Sequence, residues 1–299
     1  MKKNSLEKIF DKLFPLNRSI MGEGFRKSLD IITEGLSFKR IKFKTGTKVF
    51  DWKIPKEWNI KDAYISDLNN KKFCEFKKNN LHVVGYSTPI NKILNFEDLK
   101  KKIFFLKKLP EAIPYVTSYY KKRWGFCIKY NDFKKLKTGK YRVYINSKFT
   151  NGNLIIGEKL IKGKSKKEIL FSSYLCHPSM ANNELSGPIV LREICKRLKN
   201  KRLNYSYRFI LTSETIGAIS YLKKRGDYLK KNLIAGYQLT CLGDKGNYTY
   251  KKTKFENSYT DFLAIKTLKN FKKKFKIIDF FPTGSDERQY NSPKFNLPV

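Results

Sequence analysis

The chain has 299 residues and a formal net charge of +38, from 64 Lys and Arg against 26 Asp and Glu. That length allows one large domain or two ordinary ones with a real core, and a 15% aromatic content excludes a disordered chain. No apolar run reaches the ~18 residues that a membrane span needs.

A charge of this size suits a partner made of phosphates, because clustered Lys and Arg neutralise them. Two features argue against nucleic acid. Only 11 of the basic residues are Arg, the better base reader. The lysines are spread along the whole chain among many Asn and Ile, as a compositional bias would leave them. The densest run, 266–276, fits the solvated face of a helix. Nucleic acid is therefore not the expected partner, and an anionic sugar is equally compatible with the composition. The five cysteines (74, 127, 176, 195, 241) are scattered, odd in number and without a CxxC pair. This fits a reducing compartment. The N-terminus MKKNSLEKIFDKLF lacks the apolar core of a signal peptide. A cytoplasmic protein is expected.

In chain order, residues 5–14 predict an amphipathic helix, broken at Phe14-Pro15-Leu16-Asn17-Arg18-Ser19. A second helix is predicted over about 24–35, with Phe25, Leu29 and Ile32 on one face. From Ile41 the pattern changes to short alternating runs, punctuated by Gly46, Pro55, Asn69-Asn70 and Asn79-Asn80. These read as strands, continuing through 113–116, 124–128, 141–145 and 154–156. After a break near Gly163-Lys164-Ser165, strands and helices alternate. The predicted order is strand 168–175, helix 187–199, strand 205–212, helix 215–225, strand 233–241, helix 258–270 and strand 275–280. Such alternation means βαβ units and a largely parallel sheet. The expected plan is an α/β domain built from 1–40 and 150–299, with a β-rich domain inserted over 41–149.

Four strand ends carry polar residues: His177 to Glu184, Thr212 to Gly217, Thr240 to Asp244, and Thr283 to Arg288. Parallel strands bring their carboxyl ends to one edge, where ligands bind in open α/β sheets. A histidine among carboxylates there suggests a metal site. Neutral imidazole binds Zn²⁺, carboxylates add charge, and a free Glu can deprotonate bound water. Glu214 is the candidate base; the alternative is a helix-start carboxylate favoured by the helix dipole. For His177 the alternative is a hydrogen-bonded loop histidine. His82 lies in an alternating run and is expected to be structural. A Ser–His–Asp triad is disfavoured: Ser179, Ser186 and Ser213 are available, but no GxSxG elbow is present. There is no P-loop and no GxGxxG.

The motifs LFPLNRSIMGEGFRKSL (13–29), KVFDWKIPKEWNI (48–60), IPYVTSYYKKRWGFC (113–127), YLCHPSMANNELSGP (174–188), SETIGAISYL (213–222), QLTCLGD (238–244) and GSDERQYNSPKFNLPV (284–299) resemble a bacterial family of aminopeptidase-like domains found near polysaccharide-biosynthesis genes. The resemblance covers nearly the whole chain. It implies a three-layer α/β/α sandwich of the zinc-exopeptidase type, with a mixed sheet and an inserted β-rich domain. By motif, His177 matches the first metal-binding histidine and Glu214 the catalytic base. Asn183 stands where relatives carry a metal-bridging aspartate, with Glu184 adjacent. Thr215 stands at the second Glu of their pair, and Thr240 at another metal aspartate. One Zn²⁺ is expected, on His177 with Asn183 and Glu184, and Asp286 as a further donor. Asp286, Glu287 and Arg288 form the expected substrate-binding cluster. The resemblance also implies a last metal histidine beyond Val299, so a truncated copy is expected. Two functions follow. One is a metal-dependent hydrolase of an amide in a peptide or amino-sugar conjugate. The other is an inactive copy of the fold acting as a binding or scaffold protein.

Overall fold

The computed structural model describes residues 5–271, 274–281 and 285–299. Two amphipathic helices, α1 (Ser5–Leu13) and α2 (Glu23–Thr33), open the chain and bury Leu13, Phe25, Leu29 and Ile32. The main strands that follow are β1 (Lys39–Lys44), β2 (Glu57–Asp67), β3 (Ile90–Asn95), β4 (Lys140–Thr150) and β5 (Asn153–Ile161). Then come β6 (Glu168–Tyr174), α3 (Gly187–Leu198), β7 (Ser206–Thr212), α4 (Ile216–Asn232) and β8 (Leu233–Gln238). The chain continues with β9 (Tyr248–Lys251), α5 (Tyr259–Asn270) and β10 (Phe275–Ile278).

The larger sheet has five strands in the order β1-β5-β7-β6-β8. The pairs β7/β6 and β6/β8 are parallel, and β1/β5 and β5/β7 are antiparallel. β6 is therefore interior on both edges, and its apolar run is almost wholly buried, as a strand covered on both faces requires. The crossover from β6 to β7 through α3 and that from β7 to β8 through α4 run in opposite directions across the sheet. Right-handed connections then put α3 and α4 on opposite faces, which makes three layers. α2 joins α3: Arg192 Nη1 donates to Ile32 O at 2.7 Å. This is the α/β sandwich expected from the sequence.

Two expectations shift. The strand at 39–44, assigned to the β-rich segment, edges the larger sheet by pairing with β5, with Ile41 opposite Ile156 and Phe43 opposite Leu154. The last predicted strand does not extend that sheet. β10 pairs with β9, and both leave their side chains half-buried or exposed, which suits a two-stranded ribbon and not a strand covered on both faces. A second sheet holds β2, β4, β3 and the short strand Lys72–Phe73, all antiparallel, over a core that includes Ala63, Ile65, Val143 and Ile145. The run at 113–116 forms no named strand, and Phe126–Cys127 pairs with Ile103–Phe104. Lys272, Lys273, Thr283 and Gly284, within motifs singled out above, lie outside the described residues.

A charged network ties three strands to α4. Arg208 of β7 donates to Glu168 of β6 at 2.6 and 2.8 Å and to Glu158 of β5 at 2.7 Å. Tyr221 and Tyr228 of α4 donate to Glu158 and Glu168, each at 2.7 Å. All three charged groups are buried, so deleting Arg208 strands two carboxylates in low dielectric. Arg208→Ala is expected to lower the unfolding free energy by about 3–5 kcal/mol. Arg225→Ala, at a half-exposed member of the network, should cost under about 1 kcal/mol. Urea denaturation measures both, and equal losses would contradict this ranking.

Candidate functional site

The site is built where β6 stops pairing. Leu175 N–H still donates to Thr212 O, at 2.8 Å, and Cys176 and His177 follow at the carboxyl edge of the sheet. Two close approaches fix the loops. A Cβ on Gly187, at the start of α3, would overlap Leu239 O and Ser173 Oγ, and one on Gly217, at the start of α4, would overlap Thr212 Oγ1. Only glycine lets both helices begin this near the strands, and this holds the 176–186 and 213–215 segments together.

His177 is 8% exposed and is gripped on four sides. Its carbonyl accepts from Arg18 Nε at 2.9 Å. Its ring meets Tyr115 edge-on at 4.9 Å and Tyr174 at 5.6 Å. Nδ1 contacts Glu184 Oε2, and Nε2 lies 3.4 Å from Glu214 Oε2. Glu184 Oε1 also accepts the backbone N–H of Cys176. Assigning the Nδ1 proton to the Glu184 contact leaves Nε2 aimed at Glu214. Burial alone would pull the imidazole below its ordinary pKa, but Cys176 and Glu184 outweigh burial and hold it well above. Burial pushes the Cys176 thiol up to about 11 and raises Glu214, with His177 opposing the latter. Glu214 keeps a side-chain exposure of 27%, against 0% for Glu184, and is the partly exposed carboxylate of the two.

The other sequence-predicted residues separate into two groups. Asn183 Oδ1 accepts from the Tyr174 hydroxyl at 2.7 Å, and that hydroxyl lies 2.5 Å from Thr240 Oγ1. Because Tyr174 gives its one proton to Asn183, Thr240 is the donor in the second bond. Thr215 has φ of 61°, donates its N–H to Asp286 Oδ1 at 2.7 Å, and accepts from Arg288 Nη2 at 3.2 Å. Asp286 is fully buried, Oδ2 has no partner among the described residues, and burial raises its pKa well above the carboxylate range against the Thr215 N–H. Glu287 pairs with Lys251. Asp286 and Arg288 thus tie to the start of α4, while Glu287 is held by Lys251 of β9 and lines a cavity beside it. His82 Nδ1 donates to Cys127 O at 2.8 Å, as a structural histidine does.

The donor atoms test the expected zinc directly. Beside Nε2 lies one carboxylate, Glu214, and the oxygens of Asn183 and Thr240, at the positions the resemblance assigns to metal carboxylates, are neutral and bonded to Tyr174. Catalytic Zn²⁺ takes three protein ligands, mostly imidazole, thiolate or carboxylate, so this set does not fit it. On the Nδ1 side, Cys176, His177 and Glu184 put their ligand atoms within 4.8 Å of one another, all buried. The Sγ to Nδ1 separation is 3.7 Å, near the ~3.5 Å edge of a tetrahedral zinc with one sulfur and one nitrogen ligand. Cys176 escapes a sequence reading that sees only scattered cysteines, although its place beside His177 was the available signal. Arg18 and Tyr115 come from distant segments and carry no local signal, whereas Tyr174 stands three residues before His177.

Glu184→Gln is expected to keep the fold and to lower the imidazole pKa, because the amide removes a carboxylate from Nδ1. Histidine titration by NMR measures this, and an unchanged value would contradict the assigned contact.

Comparison with known proteins places this cleft in a lineage. A candidate polysaccharide biosynthesis protein with an aminopeptidase-like domain from Clostridium acetobutylicum is 45% identical over 291 residues, which span 97% of this chain and 67% of that protein. The crystal structure of a candidate peptidase from Clostridium acetobutylicum superposes with a TM-score of 0.95 at 44% identity, over 98% of this chain and 69% of that one. BSAP, a zinc aminopeptidase from Bacillus subtilis, has a TM-score of 0.65 at 14% identity, over 97% of this chain and 83% of its own, and shares the fold. The peptidase M28 precursor from Shewanella amazonensis does likewise, at 0.63 and 13%, over 98% and 82%. Residues 7–299 match one family model throughout, and the chain belongs to that family, the domain of unknown function DUF4910.

Proposed function

We propose that this chain is an aminopeptidase-like binding protein. Its cleft holds an amine- or amide-bearing ligand, peptide-like or an amino-sugar conjugate, and lacks the zinc chemistry of peptidases with this fold. The observation that carries this reading is the Tyr174–Asn183–Thr240 hydrogen-bond chain. It occupies two positions that the family resemblance assigns to metal carboxylates. Glu214 is the acceptor for the ligand's nitrogen, since it is the partly exposed carboxylate beside His177. Glu184 and Arg18 hold the imidazole in place. The Clostridium relative's name supports a setting in polysaccharide biosynthesis. The five unpaired cysteines support a cytoplasmic location. Among the described residues, no helix is long and apolar enough to cross a membrane.

One observation favours a second reading. Cys176, His177 and Glu184 have the chemistry and spacing to hold a single zinc in place of the proton between His177 and Glu184. In that case the chain is a metal-dependent hydrolase with Glu214 as its base. Zinc loading followed by desalting and elemental analysis separates the two. The binding reading predicts well under one zinc per chain, no hydrolysis of aminoacyl anilides, and at least about a tenfold gain in zinc affinity for Asn183→Asp combined with Thr240→Asp. About one zinc per chain, lost in Cys176→Ser and accompanied by hydrolysis, would overturn it. For the cleft itself, Glu214→Gln is expected to weaken glucosamine binding by about tenfold or more in calorimetry. Unchanged affinity would remove Glu214 from the site.

A further inference from the structure

Beside the cleft lies a cavity of about 910 Å³, within the size range of small-molecule sites. It opens between the end of β8 and the β9–β10 ribbon, and Thr240 belongs to its lining. Thr240 is bonded to Tyr174, whose ring edges His177, so the cavity begins one side chain away from the cleft. Besides the charged groups of Asp244, Lys245, Lys251, Lys274 and Glu287, its wall combines two kinds of surface. Tyr237, Tyr248, Tyr250 and Phe281 supply aromatic rings, one face of Tyr237 being stacked by Phe171 and one of Phe281 capped by Lys251 Nζ at 4.4 Å. The hydroxyls of Tyr237 and Tyr250 are tied back, to Thr260 O at 3.3 Å and to Asp261 Oδ1 at 2.8 Å. Tyr248 is 44% exposed, far more than a packing tyrosine needs. Gln238 supplies the second kind. Its amide nitrogen and oxygen are both buried with no hydrogen-bond partner among the described residues. A buried amide without partners is uncommon and calls for a ligand or water to complete it.

We infer that this cavity binds a hexopyranose ring, so that the ligand proposed above is an amino-sugar conjugate and not a peptide. The inference deepens that binding reading and rests on it. A pyranose has a C–H face that lies on aromatic rings and a belt of hydroxyls that both donate and accept. Gln238 offers one acceptor and two donors in a planar group, which matches two neighbouring hydroxyls. An apolar peptide side chain would cover the rings and leave the Gln238 amide unpaired, which is unfavourable in a buried site.

Saturation-transfer NMR on the full chain tests this with N-acetylglucosamine and N-acetylgalactosamine as probes and N-acetyl-leucine amide as the peptide-like control. Both sugars lack a free amine, so their binding does not depend on Glu214. Transfer to at least one sugar and not to the control is expected. Tyr248→Ala, at an exposed position, should weaken that sugar at least about tenfold. Gln238→Leu should abolish its transfer while raising the melting temperature, since it removes an unpaired amide. No transfer to either sugar, transfer to the control alone, or sugar binding unchanged in both variants would overturn the inference. Sugar transfer that persists in a protein found to hold zinc would leave the pocket standing and count against the metal-free reading alone. Loss of the pocket with Glu214-dependent glucosamine binding intact would do the reverse.

Discussion

Strand β6 is hydrogen-bonded on both edges by parallel neighbours, and the cleft depends on that constraint. Parallel pairing on both sides sends the segments after β6, β7 and β8 to one edge of the sheet. It also buries β6 on both faces, so the polar side chains it carries, Glu168, Ser172 and Ser173, take partners within the fold: Arg208, Tyr290 and Leu239 O. The buried Arg208 network locks β5, β6 and β7 in register and holds α4 against them. Glu214 stands on the turn into that helix. The stability of the sheet and the position of the cleft carboxylate are thus parts of one arrangement.

Within the cleft, one histidine is immobilised by groups from two distant parts of the chain and one nearby turn. Arg18 comes from the N-terminal segment, Tyr115 from the β-rich segment, and Glu184 from the turn before α3. Such grip is what a site needs when a side chain must hold one orientation. The fold resembles zinc aminopeptidases, yet the outer nitrogen of His177 has one carboxylate, Glu214, beside it, and Asn183 and Thr240 are neutral and bonded to Tyr174. A shared fold fixes where a site lies, and the side chains at that place decide its chemistry.

Much of this was legible in the sequence. The alternation of apolar strands and amphipathic helices after residue 168 gave the βαβ order, and the motifs around His177 and Glu214 gave the edge on which the site lies. Asn183, Thr215 and Thr240 stood out by their positions as neutral substitutes. What the sequence did not reveal was pairing over long distances. The edge strand at 39–44 looks like any alternating run until its partner β5 is known. β9 is too short and too polar to stand out by periodicity, so the predicted strand at 275–280 has no visible partner until the structure supplies it. Asp286, Glu287 and Arg288 look like ligand-binding residues because they are charged and follow a strand. Their partners lie far away in sequence: Thr215 ties Asp286 and Arg288 to the start of α4, and Lys251 ties Glu287 to β9.

The central claim is that the outer nitrogen of His177 faces a cleft that does not collect zinc. Diffraction at the zinc absorption edge, from crystals equilibrated with zinc, tests it at atomic resolution. The account predicts no anomalous peak at bonding distance, about 2 Å, from His177 Nε2. A peak there, shared with Asn183 and Glu214, would contradict it.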